Sequence, residues 1–258
     1  MTEDEPVMVA APKRKQQDKR LMAADVSPLA ENYLMSLYML KEEAGVATMS
    51  RLATQLATSP ATEHLGTSLP SVAGMIHRMK RDGLLDIRQN KEIEFTELGR
   101  KHAEAIMRRH QLAERLLVDF LGMELHKVHA EAHRLEHAIS PDVEASLAER
   151  LGNPLTCPFG HPIPGSGYQP PANAMRLDKV KPGERVTVER IPEDDPRLVK
   201  YLVSSGVVRG AQMTVTDIAP YKGTMTMDVN GHEVVVGLQV APRIMVNPAD
   251  GKPRASAP

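Results

Sequence analysis

The stretch SLPSVAGMIHRMKRDGLLDIRQNKEIEF, residues 68–95, holds a helix, a stop and two short strands, and the fold class turns on it. A helical pattern runs from about Ser68 to Arg81 and stops at Asp82-Gly83. Leu84-Leu85-Asp86-Ile87 and Ile93-Glu94-Phe95 then read as two strands around a charged turn. Upstream, Ser27-Pro28 combines a capping hydroxyl with proline at a first helical position, and Leu29, Tyr33, Leu37 and Leu40 recur at helical spacing. Met49 to Leu56 forms a second amphipathic helix. Two helices, a recognition helix and a β-hairpin, in that order, make a winged helix-turn-helix.

Further along, Thr96 to Ser140 is helical with few breaks. Gly122 divides it into a long helix, 97–120, and a shorter one, 124–139, and a third helix over Pro141–Leu151 ends at Gly152. The Pro- and Gly-rich run from Asn153 to Pro171 reads as a linker. Beyond it Arg185–Ile191, Gln212–Ile218, Met225–Val229 and Glu233–Leu238 are short β-prone runs, with a helix over Leu198–Ser204. Asn230-Gly231 is a tight-hairpin signal. The expected organisation is a disordered basic arm (1–26), a winged helix-turn-helix domain (27–96), a helical domain (97–152), a linker (153–175), a small β-barrel (176–248) and a polar tail (249–258). The class is mainly α with a small β domain.

Composition narrows the function classes. The chain has 258 residues and a formal net charge of −1, so any nucleic-acid partner must be met by a local patch. A single cysteine, Cys157, excludes an intrachain disulfide framework and fits a reducing cytoplasm. No apolar run approaches the roughly 18–20 residues of a membrane-spanning helix, and the first residues lack the apolar core of a signal peptide, so no membrane partner is expected.

Ten histidines are unevenly spread. His129, His133, Glu136 and His137 form H-x-x-x-H-x-x-E-H. At about 100° per helical residue, with His129 at zero, they fall near 40°, −20° and 80°, one arc of roughly 100°. One helix upstream, His110 and Glu114 sit at i and i+4. Imidazole nitrogen and carboxylate oxygen suit divalent metals, and this density of both in so short a span points to metal binding. His126 falls in the same arc and reads as a bystander. His133 to His137 also satisfies H-x-x-E-H, the inverted zinc peptidase signature, but a helical hairpin after a winged helix offers no frame for a peptide cleft.

A recognition helix presents its N-terminal residues to base edges and its basic side chains to phosphates. Ser68, Pro70 and Ser71 occupy that N-terminus. Arg78, Lys80, Arg81, Arg88 and Lys91 against Asp82 and Asp86 give residues 68–91 a net charge of +3. Ser68, Pro70, Ser71, Arg78, Arg81 and Lys91 are the candidate DNA contacts. A metal-independent DNA-binding protein is the alternative these residues leave open.

Several stretches resemble one family. They are Glu31-Asn32-Tyr33-Leu34, Leu69-Pro70-Ser71-Val72, Arg81-Asp82-Gly83-Leu84, Arg109-His110-Gln111-Leu112-Ala113-Glu114, Val128-His129-Ala130-Glu131-Ala132, Leu135-Glu136-His137 and Cys157-Pro158-Phe159-Gly160-His161-Pro162-Ile163-Pro164-Gly165. The chain is similar to the diphtheria toxin repressor and manganese transport regulator family of metal-dependent repressors, strongly over 27–165. Gly206-Val207-Val208-Arg209-Gly210 is similar to the SH3-like (FeoA-like) domain of longer members.

The resemblance implies a homodimer, joined through a helical metal-binding and dimerisation domain (97–152), that places two recognition helices on a palindromic double-stranded operator of metal-homeostasis genes, in response to Mn2+ or Fe2+ at two sites per subunit. Asn32, His133, Glu136 and His137 match the primary site, and His110, Glu114 and His129 match the ancillary one. Glu193 is the candidate barrel ligand, with Asp194 and Asp195 as alternatives. Iron-type members carry Met and Cys where this chain has Asn32 and His133, and manganese-type members carry Asp and Glu. Loss of the sulfur ligands makes the site harder and favours Mn2+ or Fe2+. About eight extra residues near Thr58 to Leu65 fall within the helix-turn-helix turn.

Overall fold

A computed structural model of the chain describes residues 26–58 and 66–249. The basic arm up to residue 25, the inserted segment 59–65 and the tail from residue 250 lie outside the described residues. Helix α1, Pro28–Ala44, starts where Ser27 Oγ accepts from the Ala30 amide at 3.3 Å. It is followed by α2, Met49–Thr58, and α3, Leu69–Arg81, capped by Ser68 Oγ on the Ser71 amide. Helix α3 buries Val72, Met75, Ile76 and Met79. They pack with Leu34, Leu37, Leu52 and Leu56 and with Leu85 and Ile93 of the wing. The wing is β1, Leu85–Ile87, antiparallel to β2, Ile93–Phe95.

No linker separates the wing from the next helix, α4, Glu97–Arg115. Thr96 donates its amide to Leu84 O at 3.1 Å, donates Oγ1 to Gly83 O at 2.7 Å, and accepts the Gly99 amide at 3.0 Å as the cap of α4. At Gly99 a Cβ would lie 1.8 Å from Leu84 O, so only glycine permits this approach. Helix α4 passes into a π-helical turn over Leu116–Phe120, not the continuous α-helix to 120 that periodicity suggests. Helix α5, Leu125–Leu135, is likewise shorter than expected. It tightens into a 3-10 turn over Glu136–Ala138, which brings the chain to the Ser140 cap of α6, Pro141–Arg150.

The Pro- and Gly-rich stretch after α6 is not a loose linker. Cys157, Phe159 and Ile163 are buried, Thr156 and Pro162 form a bridge, and the Cys157 amide donates to His161 O at 2.8 Å. Gly160, at φ +99°, presses on β4 (Arg185–Arg190), where a Cβ would lie 2.1 Å from Glu189 O. Its prolines and glycines make turns that a core requires, and composition alone does not tell that from flexibility.

The barrel adds β3 (Met175–Arg176), α7 (Pro196–Ser204), β5 (Gln212–Ala219), β6 (Thr224–Val229), β7 (His232–Gly237) and β8 (Met245–Pro248). Its sheet order is β3-β8-β4-β5-β6-β7, with neighbours antiparallel. Strands β3 and β8 escaped the sequence reading because two and four residues are too short to show alternation. One apolar cluster holds barrel residues Val188, Val215 and Val246 together with Leu117, Val128 and Ala132 of the helical domain and with Phe159. Polar contacts also tie the barrel to the end of α1: Arg190 pairs with Glu42 at 3.4 Å, and Arg243 pairs with Glu43 at 3.2 Å and with Asp194.

Two glycine substitutions separate close approach from helix propensity. Gly99→Ala is expected to lose about 3 kcal/mol in urea unfolding, because Leu84 O is backbone and cannot move aside. Gly74→Ala, on the exposed side of α3 with open space around it, is expected to gain about 0.5–1 kcal/mol.

Candidate metal centre

Four elements converge on one interior region. Helix α1 supplies Glu31 and Asn32, α4 supplies Arg109, His110 and Glu114, and α5 supplies His129 and His133. The 3-10 turn supplies Glu136 and His137. Placing these last two in a 3-10 turn breaks the single 100°-per-residue arc expected for the His129–His137 motif, because that turn advances about 120° per residue.

Asn32 Oδ1 lies 3.0 Å from His137 Nε2, which lies 3.4 Å from Glu136 Oε1, which in turn lies 3.3 Å from His133 Nδ1. Each neighbouring pair stands at the spacing of shared ligands, since donors about 2.1 Å from one ion are about 3.0 Å apart at octahedral angles and about 3.4 Å at tetrahedral ones. The set around His133 whose donors all lie within 4.8 Å of one another, however, is His110, His129 and His133, so His133 and His137 reach one ion only if the site contracts. Burial opposes the Glu136 charge, but hydrogen bonds from His110 and His133 outweigh it and hold this carboxyl down to about 2. Burial also pushes the His133 imidazole down to about 4, leaving it neutral and able to ligate at pH 7.

A second set adjoins the first. His110 Nε2 is 3.0 Å from both Glu114 Oε1 and His129 Nδ1, and His129 Nδ1 is 3.3 Å from Glu114 Oε1. Glu193, which follows β4, completes the group: one donor atom from each of His110, Glu114, His129 and Glu193 lies within 4.8 Å of the others, and all four residues are buried. Asp195 instead caps α7 and Asp194 pairs with Arg243, so Glu193 alone of the three acids reaches this set. Among the described residues Glu114 Oε2 and Glu193 Oε1 are buried without a hydrogen-bond partner. Burial and the Glu114 charge push Glu193 well above the usual carboxylate range. Two buried carboxyls with spare oxygens fit a divalent cation, whose charge offsets both penalties.

The two sets are continuous. His110 Nδ1 lies 2.6 Å from Glu136 Oε2, and the His133 ring centroid stands 4.8 Å from that of His110 and 4.7 Å from that of His129. Burial opposes charge on His110, yet Glu114 and Glu136 together raise its pKa well above normal. His126 is partly buried and belongs to neither set. Sequence reading missed Glu31, which contacts His137, and Arg109, which pairs with Glu31, because an acid or an arginine on a helix carries no signal of its own.

On α3 and the wing, Ser68, Pro70, Ser71, Arg78, Arg81 and Lys91 are all exposed. Seven and eleven helical steps bring Ser71 over Arg78 and Pro70 over Arg81, each pair within about 20° on α3. Arg78, Arg81 and Lys91 make no ion pair among the described residues, while Lys80 and Arg88 pair with Asp86 and Glu94. Lys91 sits at the wing tip with φ +64°.

Comparison with known proteins accords with these features. Residues 25–93 match the iron dependent repressor N-terminal DNA binding domain, residues 96–165 its metal binding and dimerisation domain, and residues 175–248 the FeoA domain. The chain is 41% identical over 224 residues to the iron-dependent repressor IdeR of Mycobacterium leprae, covering 82% of this chain and 93% of that protein. It is 34% identical over 238 residues to the diphtheria toxin repressor of Corynebacterium glutamicum, covering 88% and 99%. Among solved structures, a manganese-dependent transcriptional repressor in complex with manganese superposes at a TM-score of 0.74 with 30% identity, covering 85% of this chain and 99% of the other. Taken with the winged helix, the buried ligand sets and the barrel, these matches place the chain in the iron-dependent, diphtheria toxin repressor family of metal-dependent transcriptional repressors.

Proposed function

We propose that this protein is a cytoplasmic Mn2+ or Fe2+ sensor that represses metal-homeostasis genes by binding a palindromic operator as a homodimer. The observation that carries this reading is the chain of donor atoms from Asn32 on α1 to Glu136 and His137 on the 3-10 turn. Helix α1 packs in the DNA-reading half and also, through Met35 and Met39, on Ile106 and Met107 of α4, while the turn packs on α4 and α5, so an ion shared by these donors adds a tie between α1 and the turn. The gain in DNA affinity equals the difference in metal affinity between the two arrangements, typically about 1–3 kcal/mol. His110, Glu114, His129 and Glu193 would hold a second ion and bind the barrel to the helices. A donor set of nitrogen and oxygen suits Mn2+ or Fe2+. Ser68, Pro70 and Ser71 are assigned to base edges, and Arg78, Arg81 and Lys91 to phosphates.

The zinc peptidase motif is disfavoured by the setting of its acid. Glu136 is buried, and its carboxylate already pairs with His110, His133 and His137, which leaves no approach for a peptide bond.

Electrophoretic shift titrations on the promoter of a metal-transport gene test the sensor reading. Added Mn2+ or Fe2+ is expected to tighten binding about 5–150-fold over chelated protein, and His137→Ala to abolish that gain. Equal shifts with and without metal would sink it. Proton linkage gives a second prediction. Because Glu114 and Glu136 hold a proton on His110 at neutral pH, an ion entering beside it must displace that proton. Calorimetry of Mn2+ binding in buffers of different ionisation enthalpy is expected to show net proton release, with apparent affinity falling as pH is lowered.

A further inference from the structure

One side of His137 is left unexplained by the metal set. Its Nε2 faces Asn32 Oδ1 and Glu136 Oε1, at 3.0 Å and 3.4 Å. Its Nδ1 faces the opposite way, onto Glu31 Oε2 at 2.8 Å. The other Glu31 oxygen, Oε1, takes the Arg109 guanidinium at 2.7 Å from α4. Glu31 and Asn32 are consecutive on α1 and therefore straddle a single imidazole ring.

We infer that Glu31 is a positioning residue, fixing the His137 ring and its Nδ1–H tautomer so that Nε2 offers its lone pair to a divalent cation. The inference rests on reading Asn32, Glu136 and His137 as metal ligands. A neutral imidazole carries one N–H, and the nitrogen that donates cannot ligate. With an ion bound, a carboxylate 2.8 Å from Nδ1 takes that N–H and leaves the Nε2 lone pair for the ion, on the side of Asn32 Oδ1 and Glu136 Oε1. Arg109 is what makes the arrangement stiff. It occupies the second carboxylate oxygen, so Glu31 cannot swing toward the ion and become a ligand without breaking an ion pair whose side chains are only 18% and 14% exposed. Both anchors come from outside the ligand set: α1 supplies the acid and α4 the base that restrains it. The histidine is therefore oriented before any ion arrives, and the ion meets a preformed nitrogen rather than a rotating ring.

The test compares Mn2+ binding by the full-length wild type, Glu31→Gln and His137→Ala, with apo melting temperatures and bound-metal stoichiometry. Glutamine cannot satisfy both the imidazole N–H and the guanidinium through one carbonyl, so Glu31→Gln is expected to weaken one class of Mn2+ site about 10–100-fold. The other class, the stoichiometry at saturating Mn2+ and the apo melting temperature are expected to stay as in wild type. In zinc-loaded protein, histidine 15N spectra should show His137 protonated at Nδ1 and metal-bound at Nε2 in the wild type, with that signature broadened or lost in Glu31→Gln. Unchanged Mn2+ affinity in Glu31→Gln, beside impaired His137→Ala, overturns the inference alone. Loss of one ion at saturation overturns it by making Glu31 a ligand, and a lowered melting temperature with both classes weakened overturns it in favour of a structural role. Wild-type Mn2+ binding by His137→Ala overturns the site assignment and this inference with it.

Discussion

The centre of the molecule is organised by one buried contact, the 2.6 Å pair between His110 of α4 and Glu136 of the 3-10 turn. Neither side chain has any solvent exposure, and an unpaired buried ion is destabilising by several kcal/mol. Pairing therefore forces the turn against α4, and that docking fixes where everything else on the turn can go. Glu136 presents its second oxygen to His133 and His137, and His137 reaches α1. On its other edge His110 meets Glu114 and His129, and Glu193 closes that set from the barrel. DNA-reading half, helical half and barrel thus share one buried polar centre.

Much of the fold was legible because its signals are local. Ser27-Pro28 and Ser68 do cap α1 and α3, Asp82-Gly83 does end the recognition helix, and Asn230-Gly231 does turn the β6–β7 hairpin with positive φ at both residues. Features that depend on distant partners were not legible. The π turn at Leu116–Phe120 and the 3-10 turn at Glu136–Ala138 lie within patterns that read as plain α-helix. Phe159 looked like linker and proved to be core, since its burial depends on β4 and the helices closing around it.

For the site, residue types and spacing pointed to metal, and the family resemblance divided the ligands into two groups. What neither conveyed is that the groups touch. The His110–Glu136 contact joins residues 26 apart in sequence, and the His137–Glu31 contact joins residues 106 apart. No helical periodicity reports on such pairs. Glu193 had two acidic neighbours as rivals, and only the cap of α7 and the Arg243 ion pair, both tertiary features, single it out.

The seam at Thr96 gives the molecule a mechanical ratio. Thr96 closes the wing and caps α4 with the same hydroxyl, so hairpin and helix turn as one rigid piece about any pivot near that residue. His110 is 14 positions further along α4, about 21 Å at 1.5 Å per residue. A displacement of about 1 Å at His110, the size of a ligand settling into place, therefore tilts the wing by about 3° around that pivot. On this geometry the angle per ångström is set by the distance along α4 between Thr96 and His110.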